Sequence, residues 1–253
     1  MNVLGGHSVG GVLPPGDFIL PPMLIDTGLR LGMSELLTTN RGQEMQNNVA
    51  VRPLQVSHLP VVAAIHMRAF PDSALSKLGA EAVRRYYEWQ LTGPHDVHAV
   101  GAFTGDRLAG FCFGGRFRGA LVGFLRKNRA YLSFLVLRKP WLLFNPLFRE
   151  RLAFGLRTYR RRFSGQQSAA VPVTGGPAPY GILSIAVDPL IQGKGIGRAL
   201  MQDAEQVARR AGFTEMVLTV HHDNVQAIRF YEKLDWFKTP GNGAWKGEMR
   251  KEI

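Results

Sequence analysis

A chain of 253 residues, 45% of them apolar, has the material for one substantial core with appendages, and its single cysteine, Cys112, excludes an intramolecular disulfide and points to a reducing, cytoplasmic setting. No apolar run approaches the roughly 18 residues that span a bilayer, and the N-terminus lacks the basic and apolar regions of a secretory signal. The net charge of +12 is local: residues 116–163 hold 13 Lys/Arg and one acid, Glu150, leaving 18 basic and 18 acidic residues elsewhere, so a domain-wide nucleic-acid surface is not expected.

Residues 1–47 carry Gly5-Gly6, Gly10-Gly11, Pro14-Pro15 and Pro21-Pro22 with no sustained period and are expected to form a poorly ordered extension, with Met33 and Met45 as alternative starts. From Val49 the texture changes, and residues 48–253 read as one domain. Residues 49–53 read as a strand, and Ser57 is placed to cap a helix running through Leu59, Val62, Ala63 and His66 toward Phe70, where Pro71-Asp72-Ser73 breaks it. A second helix over residues 81–91, rich in aromatics (Tyr86, Tyr87, Trp89), ends before Gly93-Pro94. Residues 98–103 and 107–113 then form a hairpin around Thr104-Gly105-Asp106.

Residues 116–179 read as an insertion. Its first part mixes bulky apolar residues with the basic cluster, in pieces such as residues 131–137 and 141–144 interrupted by Pro140 and Pro146. Three readings stand for residues 116–163: they fold over the domain or form a homodimer contact, they lie on an anionic membrane surface at the cytoplasmic face, or they cover a bulky acceptor as a lid. Residues 164–179, with Gly175-Gly176-Pro177, read as a flexible return.

The next stretch carries the chemistry. Residues 182–187 read as a strand, and Ile196, Leu200, Ala204, Val207, Ala208 and Ala211 recur at helical spacing, with Gly212 placed to stop the helix. Gly193, Gly195 and Gly197 therefore lie at a helix N-terminus, where unpaired amides carry partial positive charge and glycine lets a phosphate approach the backbone. Two known cradles fail on spacing. The dinucleotide fingerprint needs a third glycine where Arg198 stands, and the nucleotide-triphosphatase loop needs a Lys-Ser/Thr pair after its last glycine, where this chain has Ile196-Gly197 or Gly197-Arg198. A strand follows at residues 216–220, then a helix over 225–234 capped by Asn224, then a hairpin of residues 236–238 and 244–250 around Pro240-Gly241-Asn242-Gly243. The order is β-α-α-β-β, an insertion, then β-α-β-α-β-β.

The pattern Val187-x-Pro189-x-x-Gln192-Gly193-x-Gly195-Ile196-Gly197-x-x-Leu200 resembles the acyl-CoA-binding motif of the GNAT N-acetyltransferase superfamily. The pattern Leu218-x-Val220-x-x-x-Asn224-x-x-Ala227-x-x-x-Tyr231 resembles the second half of the same signature. The likeness covers residues 182–237 and departs at Asp235-Trp236, where the family has Gly-Phe; an aspartate there can adopt the left-handed backbone at modest cost. The resemblance implies a mixed α/β sheet of the acyl-CoA N-acyltransferase fold whose strands 182–187 and 216–220 splay apart. It also implies acetyl-CoA as acyl donor, no metal, and an unidentified amine acceptor.

The resemblance further implies that the backbone of Ser184, Ile185, Ala186 and Val187 pairs with the pantetheine arm like an added strand. An N–H near Val187 would face the thioester oxygen. Gln192, Gly193, Gly195, Ile196 and Gly197 would hold the pyrophosphate, while Lys194 and Arg198 either add charge or are ordinary exposed cations. Tyr231 is the candidate general acid or else a core aromatic; its reference pKa near 10 exceeds that of a thiol near 8.5, so either the site lowers it or Tyr231 mainly hydrogen-bonds the leaving thiolate. Asn224 holds the cofactor arm or is a plain helix cap. Base candidates by position are His221, His222, Asp72 and Glu88, while Cys112 reads as a buried strand residue. A second class of function stays open: a non-catalytic acyl-CoA-binding or regulatory module docked on a membrane or partner through the basic insertion.

Overall fold

The computed structural model describes residues 49–117, 120–138, 178–239 and 245–253. The expected N-terminal extension, the larger part of the insertion and the turn at Pro240-Gly241-Asn242-Gly243 lie outside the described residues.

Among the described residues seven strands form one sheet in the order β1-β2-β3-β4-β5-β7-β6. They are β1 (Val49–Pro53), β2 (Asp96–Thr104), β3 (Arg107–Arg116), β4 (Tyr180–Val187), β5 (Glu215–Thr219), β6 (Phe237–Lys238) and β7 (Glu248–Glu252). All neighbours are antiparallel except β4 and β5. The expected hairpin is present: Thr104 pairs with Arg107 across the two-residue loop Gly105-Asp106, and Gly105 supplies the positive φ, 59°, that such a tight reversal needs.

Strand β3 is buried along its whole interior because helices cover both faces of the sheet, which explains its near-continuous apolar run in place of strict alternation. One face carries α6 (Ile196–Arg210) and α7 (Val225–Glu232), packed over Val100, Cys112, Tyr180 and Met216. Helix α6 turns Ile196, Leu200, Met201, Ala204 and Ala208 inward and leaves its charges outside; each fully buried large aliphatic side chain contributes about 1.5–3 kcal/mol. The opposite face carries α1 (Leu59–Ala69), the short α2 (Ala74–Leu78) and α3 (Ala80–Thr92), packed over Ala99, Phe103, Phe111 and Phe113.

Three sequence expectations are corrected. Ser57 is not the cap of the first helix: a 3-10 turn, Val56–His58, precedes α1, and there the Gln55 N–H donates to His58 Nδ1 at 3.0 Å, closing a reciprocal box. The break at Pro71-Asp72-Ser73 leads into α2, capped by Ser73 Oγ accepting from the Ser76 N–H at 3.0 Å. The last strand begins at Glu248 and not at residue 244; before it the Trp245 indole N–H donates to the Glu248 carbonyl at 2.8 Å, and the Gly247 carbonyl accepts from the Val220 N–H at 2.8 Å.

Of the insertion, α4 (Ala120–Lys127) and α5 (Arg129–Arg138) are described. Their inner side joins α3: Phe124 is buried edge-on to Tyr86, and the Arg85 guanidinium lies 4.4 Å above the Tyr131 ring. Their outer side leaves Phe134 56% and Leu137 80% exposed, with the Arg138 guanidinium 5.6 Å from the Phe134 ring centroid. Among the described residues no helix is long and apolar enough to cross a membrane.

Candidate functional site

The sheet opens where the sequence suggested. β4 pairs with β5 only at Tyr180–Met216, Gly181–Val217 and Ile182–Leu218, yet β4 runs on to Val187. On its other edge, Ser184 pairs with Phe113 and Ile182 with Gly114, so Leu183 is the extra residue of a bulge that bends β4 just as it leaves β5. The Asp188 N–H donates to the Ala109 carbonyl at 2.9 Å. By antiparallel alternation, Ala186 and Ser184 also spend their backbone groups on β3, and those of Ile185 and Val187 face the gap. The Val187 carbonyl accepts from Gln192 Nε2 at 3.2 Å, which leaves its N–H as the gap-facing group at the strand end.

The exit loop is built for a glycine-lined helix start. Asp188 caps a 3-10 turn, Pro189–Ile191, its Oδ1 accepting from the Leu190 N–H at 3.2 Å. Gly193 at φ 81° and Gly195 at φ 74° then turn the chain into α6; Gly195 is the N-cap, and among the described residues no side chain caps the first amides. With no acid in the first turn either, the positive end of the helix is uncompensated. A Cβ at Gly193 would meet nothing within 4 Å, so open space lies before it. Gly197 has a different reason: a Cβ there would come within 3.3 Å of Phe230 Cζ, so its glycine lets α6 approach α7. Arg198 is exposed and Lys194 half-buried.

A residue that the sequence reading passed over anchors this loop. Asp188 is 1% exposed and accepts from Arg68 Nη2 at 2.9 Å and Nε at 3.3 Å, with Arg107 Nη2 at 3.5 Å. The fork ties the end of α1 and the start of β3 to the strand exit. The Asp188-Pro189 pair, an N-cap followed by proline at the first position, was the available signal.

Tyr231 lies on α7 in the core, its ring against Phe230 and Trp236. Burial, with a smaller contribution from Cys112, pushes its phenol above the ordinary value of 10. Among the described residues both influences on it act upward. Asn224 is the cap of α7, Oδ1 accepting from the Ala227 N–H at 3.1 Å, so any contact to a ligand would come from its Nδ2. Cys112 is buried on β3 and its thiol is pushed up to about 12, first by burial and then by Asp203.

Of the base candidates, Asp72 is ion-paired to Lys77 at 2.7 Å and Glu88 to Arg84 at 3.0 Å, both on the α1–α3 side. His221 and His222 stack with ring centroids 4.5 Å apart at the exit of β5, each beside the Asp223 carboxylate. Among the described residues, these three are the group whose ligand-capable atoms lie close enough, within 4.8 Å, to hold a metal ion.

Residues 167–236 match the family model described as Acetyltransferase (GNAT) family. This stretch is what the chain shares with the GNAT family. The match takes in β4, the glycine loop, α6, β5 and α7, and with them every candidate cofactor-binding residue and Tyr231; the base candidates Asp72 and Glu88 lie outside it. Two uncharacterised proteins of Bacillus subtilis (strain 168) are similar over 49 residues: YdhI at 45% identity and YxbD at 39%. In each case the match covers 19% of this chain and 31% of the relative's length. The fold is similar to that of PH1933 from Pyrococcus horikoshii OT3, with a TM-score of 0.50 and 18% identity over 81% of this chain and 98% of that one. Asp235, where the GNAT signature has glycine, is the one non-glycine at positive φ among the described residues, 64°, as the sequence suggested.

Proposed function

We propose that this GNAT domain binds acetyl-CoA and transfers its acetyl group directly to an amine of an acceptor, in the cytoplasm. The observation that carries the reading is the gap between β4 and β5, whose free edge ends at an uncompensated helix N-terminus. The pantetheine arm, a chain of amides, needs backbone partners along one edge, and Ile185 and Val187 can supply them. A pyrophosphate needs converging amides without Cβ obstruction, which the turn from Gly193 into α6 supplies. Lys194 and Arg198 add charge at the rim. The Val187 N–H would stabilise the oxyanion formed when the amine attacks, and the Tyr231 hydroxyl would hydrogen-bond the departing thiolate. Residues 48–253 act as one domain with 116–179 as its insertion.

The test is calorimetric titration with acetyl-CoA, followed by thiol release across a panel of primary amines. Micromolar binding and amine-dependent release are expected. Binding without release from any amine would favour the non-catalytic module in place of the enzyme.

A second proposal concerns α4 and α5. Phe134 and Leu137, exposed among arginines in a stretch without acids, suit contact with an anionic membrane surface more than bulk water. Sedimentation with anionic vesicles should be salt-sensitive and should be lost in the Phe134→Ser, Leu137→Ser double variant. Association of two copies in the absence of lipid, abolished by the same changes, would assign the surface to a homodimer.

A further inference from the structure

On the face of the sheet opposite the glycine loop, five polar side chains join end to end. Ser184 Oγ, on the part of β4 past its last β5 pair, lies 2.8 Å from Tyr87 Oη on α3. Tyr87 Oη lies 2.9 Å from His66 Nδ1 on α1, and His66 Nε2 lies 3.3 Å from Ser73 Oγ. Ser73 Oγ donates to Ser76 Oγ at 2.8 Å and accepts from the Ser76 N–H. Tyr87 and His66 are wholly buried; Ser184, Ser73 and Ser76 are 4%, 3% and 7% exposed, so Ser76 has the most solvent access.

The bonds fix a direction. The Ser73 proton is committed to Ser76, so His66 must donate from Nε2 and accept at Nδ1. Tyr87 then gives its proton to Nδ1 and can only accept from Ser184. Ser184 is left with lone pairs for whatever lies on the open side of β4. Burial holds His66 far below the usual histidine range, at about 3, so a proton passes the imidazole but does not rest there. Tyr86 and Cys112, the other ionisable groups acting on Tyr87, are both held neutral by burial.

We propose that this chain is the proton exit of acyl transfer, with Ser184 accepting an N–H of the attacking amine. The proposal rests on the acetyltransferase reading above. As the C–N bond forms and the C–S bond breaks, the amine nitrogen gives a proton to Ser184 Oγ. The Ser184 proton moves to Tyr87, that of Tyr87 to His66 Nδ1, that of Nε2 to Ser73, that of Ser73 to Ser76, and one leaves Ser76 for water. Each group ends neutral. The departing thiolate takes its own proton from solvent on the other side of the gap, against Tyr231. Donor and acceptor thus meet across the sheet, with the cradle on one face and the proton path on the other.

Tyr87→Phe and Ser184→Ala each remove one oxygen from the path. With acetyl-CoA and hydroxylamine as the amine probe, each is expected to lower kcat at least tenfold with the KM for acetyl-CoA within twofold. The double variant should fall no further than the worse single one, and the solvent deuterium isotope effect on kcat should change. Circular dichroism melting checks that the variants fold. Should Tyr87→Phe unfold, Ser184→Ala carries the kinetic test, and the nitrogen-15 spectrum of the wild-type imidazole must show the neutral Nε2–H tautomer. Wild-type turnover with variants inside twofold and an unchanged isotope effect would overturn the proton path alone. Acetyl-CoA binding by the wild type without thiol release would overturn the transfer reading and this path with it.

Discussion

Burial keeps the Tyr231 phenol protonated, so it can offer a hydrogen bond to a leaving thiolate without surrendering its proton. Removing that one donor from a transition state costs far more than removing it from the ground state. Tyr231→Phe is therefore expected to bind acetyl-CoA within about twofold of the wild type and to turn over about 100-fold more slowly, as calorimetry and thiol release would measure. At Asp235 the physics runs the other way. A left-handed non-glycine residue carries about 1 kcal/mol of strain, and Asp235 is exposed on the turn after α7 with φ 64°. Asp235→Gly should raise stability by about 0.5 kcal/mol, part of the relief being offset by the looser unfolded chain, with urea unfolding as the measurement. A lowered midpoint would mean that the aspartate side chain, and not strain, decides this position.

Between elements, the decisive contact is the Arg68–Asp188 fork, which clamps α1 against the turn where β4 becomes the glycine loop. Asp188→Ala removes a buried carboxylate and also the cap of the 3-10 turn; Arg68, with 44% of its side chain exposed, can turn to water, so the loss should be about 1–3 kcal/mol. Acetyl-CoA affinity should fall at least tenfold, since the loop amides lose their fixed direction, and titration calorimetry would register it. The elements that were legible in sequence are those with local signals: the two-residue hairpin loop, the stripe of α6 and the cap of α7. Helix α2 was not, because its five residues are too few for a period to emerge. The cap of the first helix was assigned to Ser57 by residue type, whereas a Gln55–His58 pair had formed one turn earlier. The gap between β4 and β5 came from a family likeness, as no single-strand pattern reports where a ladder stops. The Ser184–Tyr87–His66–Ser73 chain was out of reach altogether, since its links join residues 97, 21 and 7 positions apart on separate elements.

For the whole molecule, His66 ties stability to pH. Its pKa is about 3 in the fold against 6.5 for an ordinary histidine, so below pH 6.5 the unfolded chain binds a proton that the folded one refuses. This contribution is complete above pH 6.5 and is lost toward pH 3 by about 1.4 kcal/mol per pH unit. His95, also depressed by burial, adds in the same direction. The urea midpoint should thus fall steadily from pH 6.5 to 4.5, and more gently in His66→Gln; equal slopes would exclude His66 as the cause. The splayed strands carry one more consequence. Most sheets guard an unpaired edge with charge or proline, but residues 183–187 of β4 are Leu-Ser-Ile-Ala-Val, uncharged and rich in strand formers. Their protection is positional: β5, α6 and α7 wall the edge on the inside of the fold. Only three residue pairs hold β5 to β4. Should β5 and β7 detach, the stretch suited to receive an acyl donor would become an open template for another chain, and self-association would begin there.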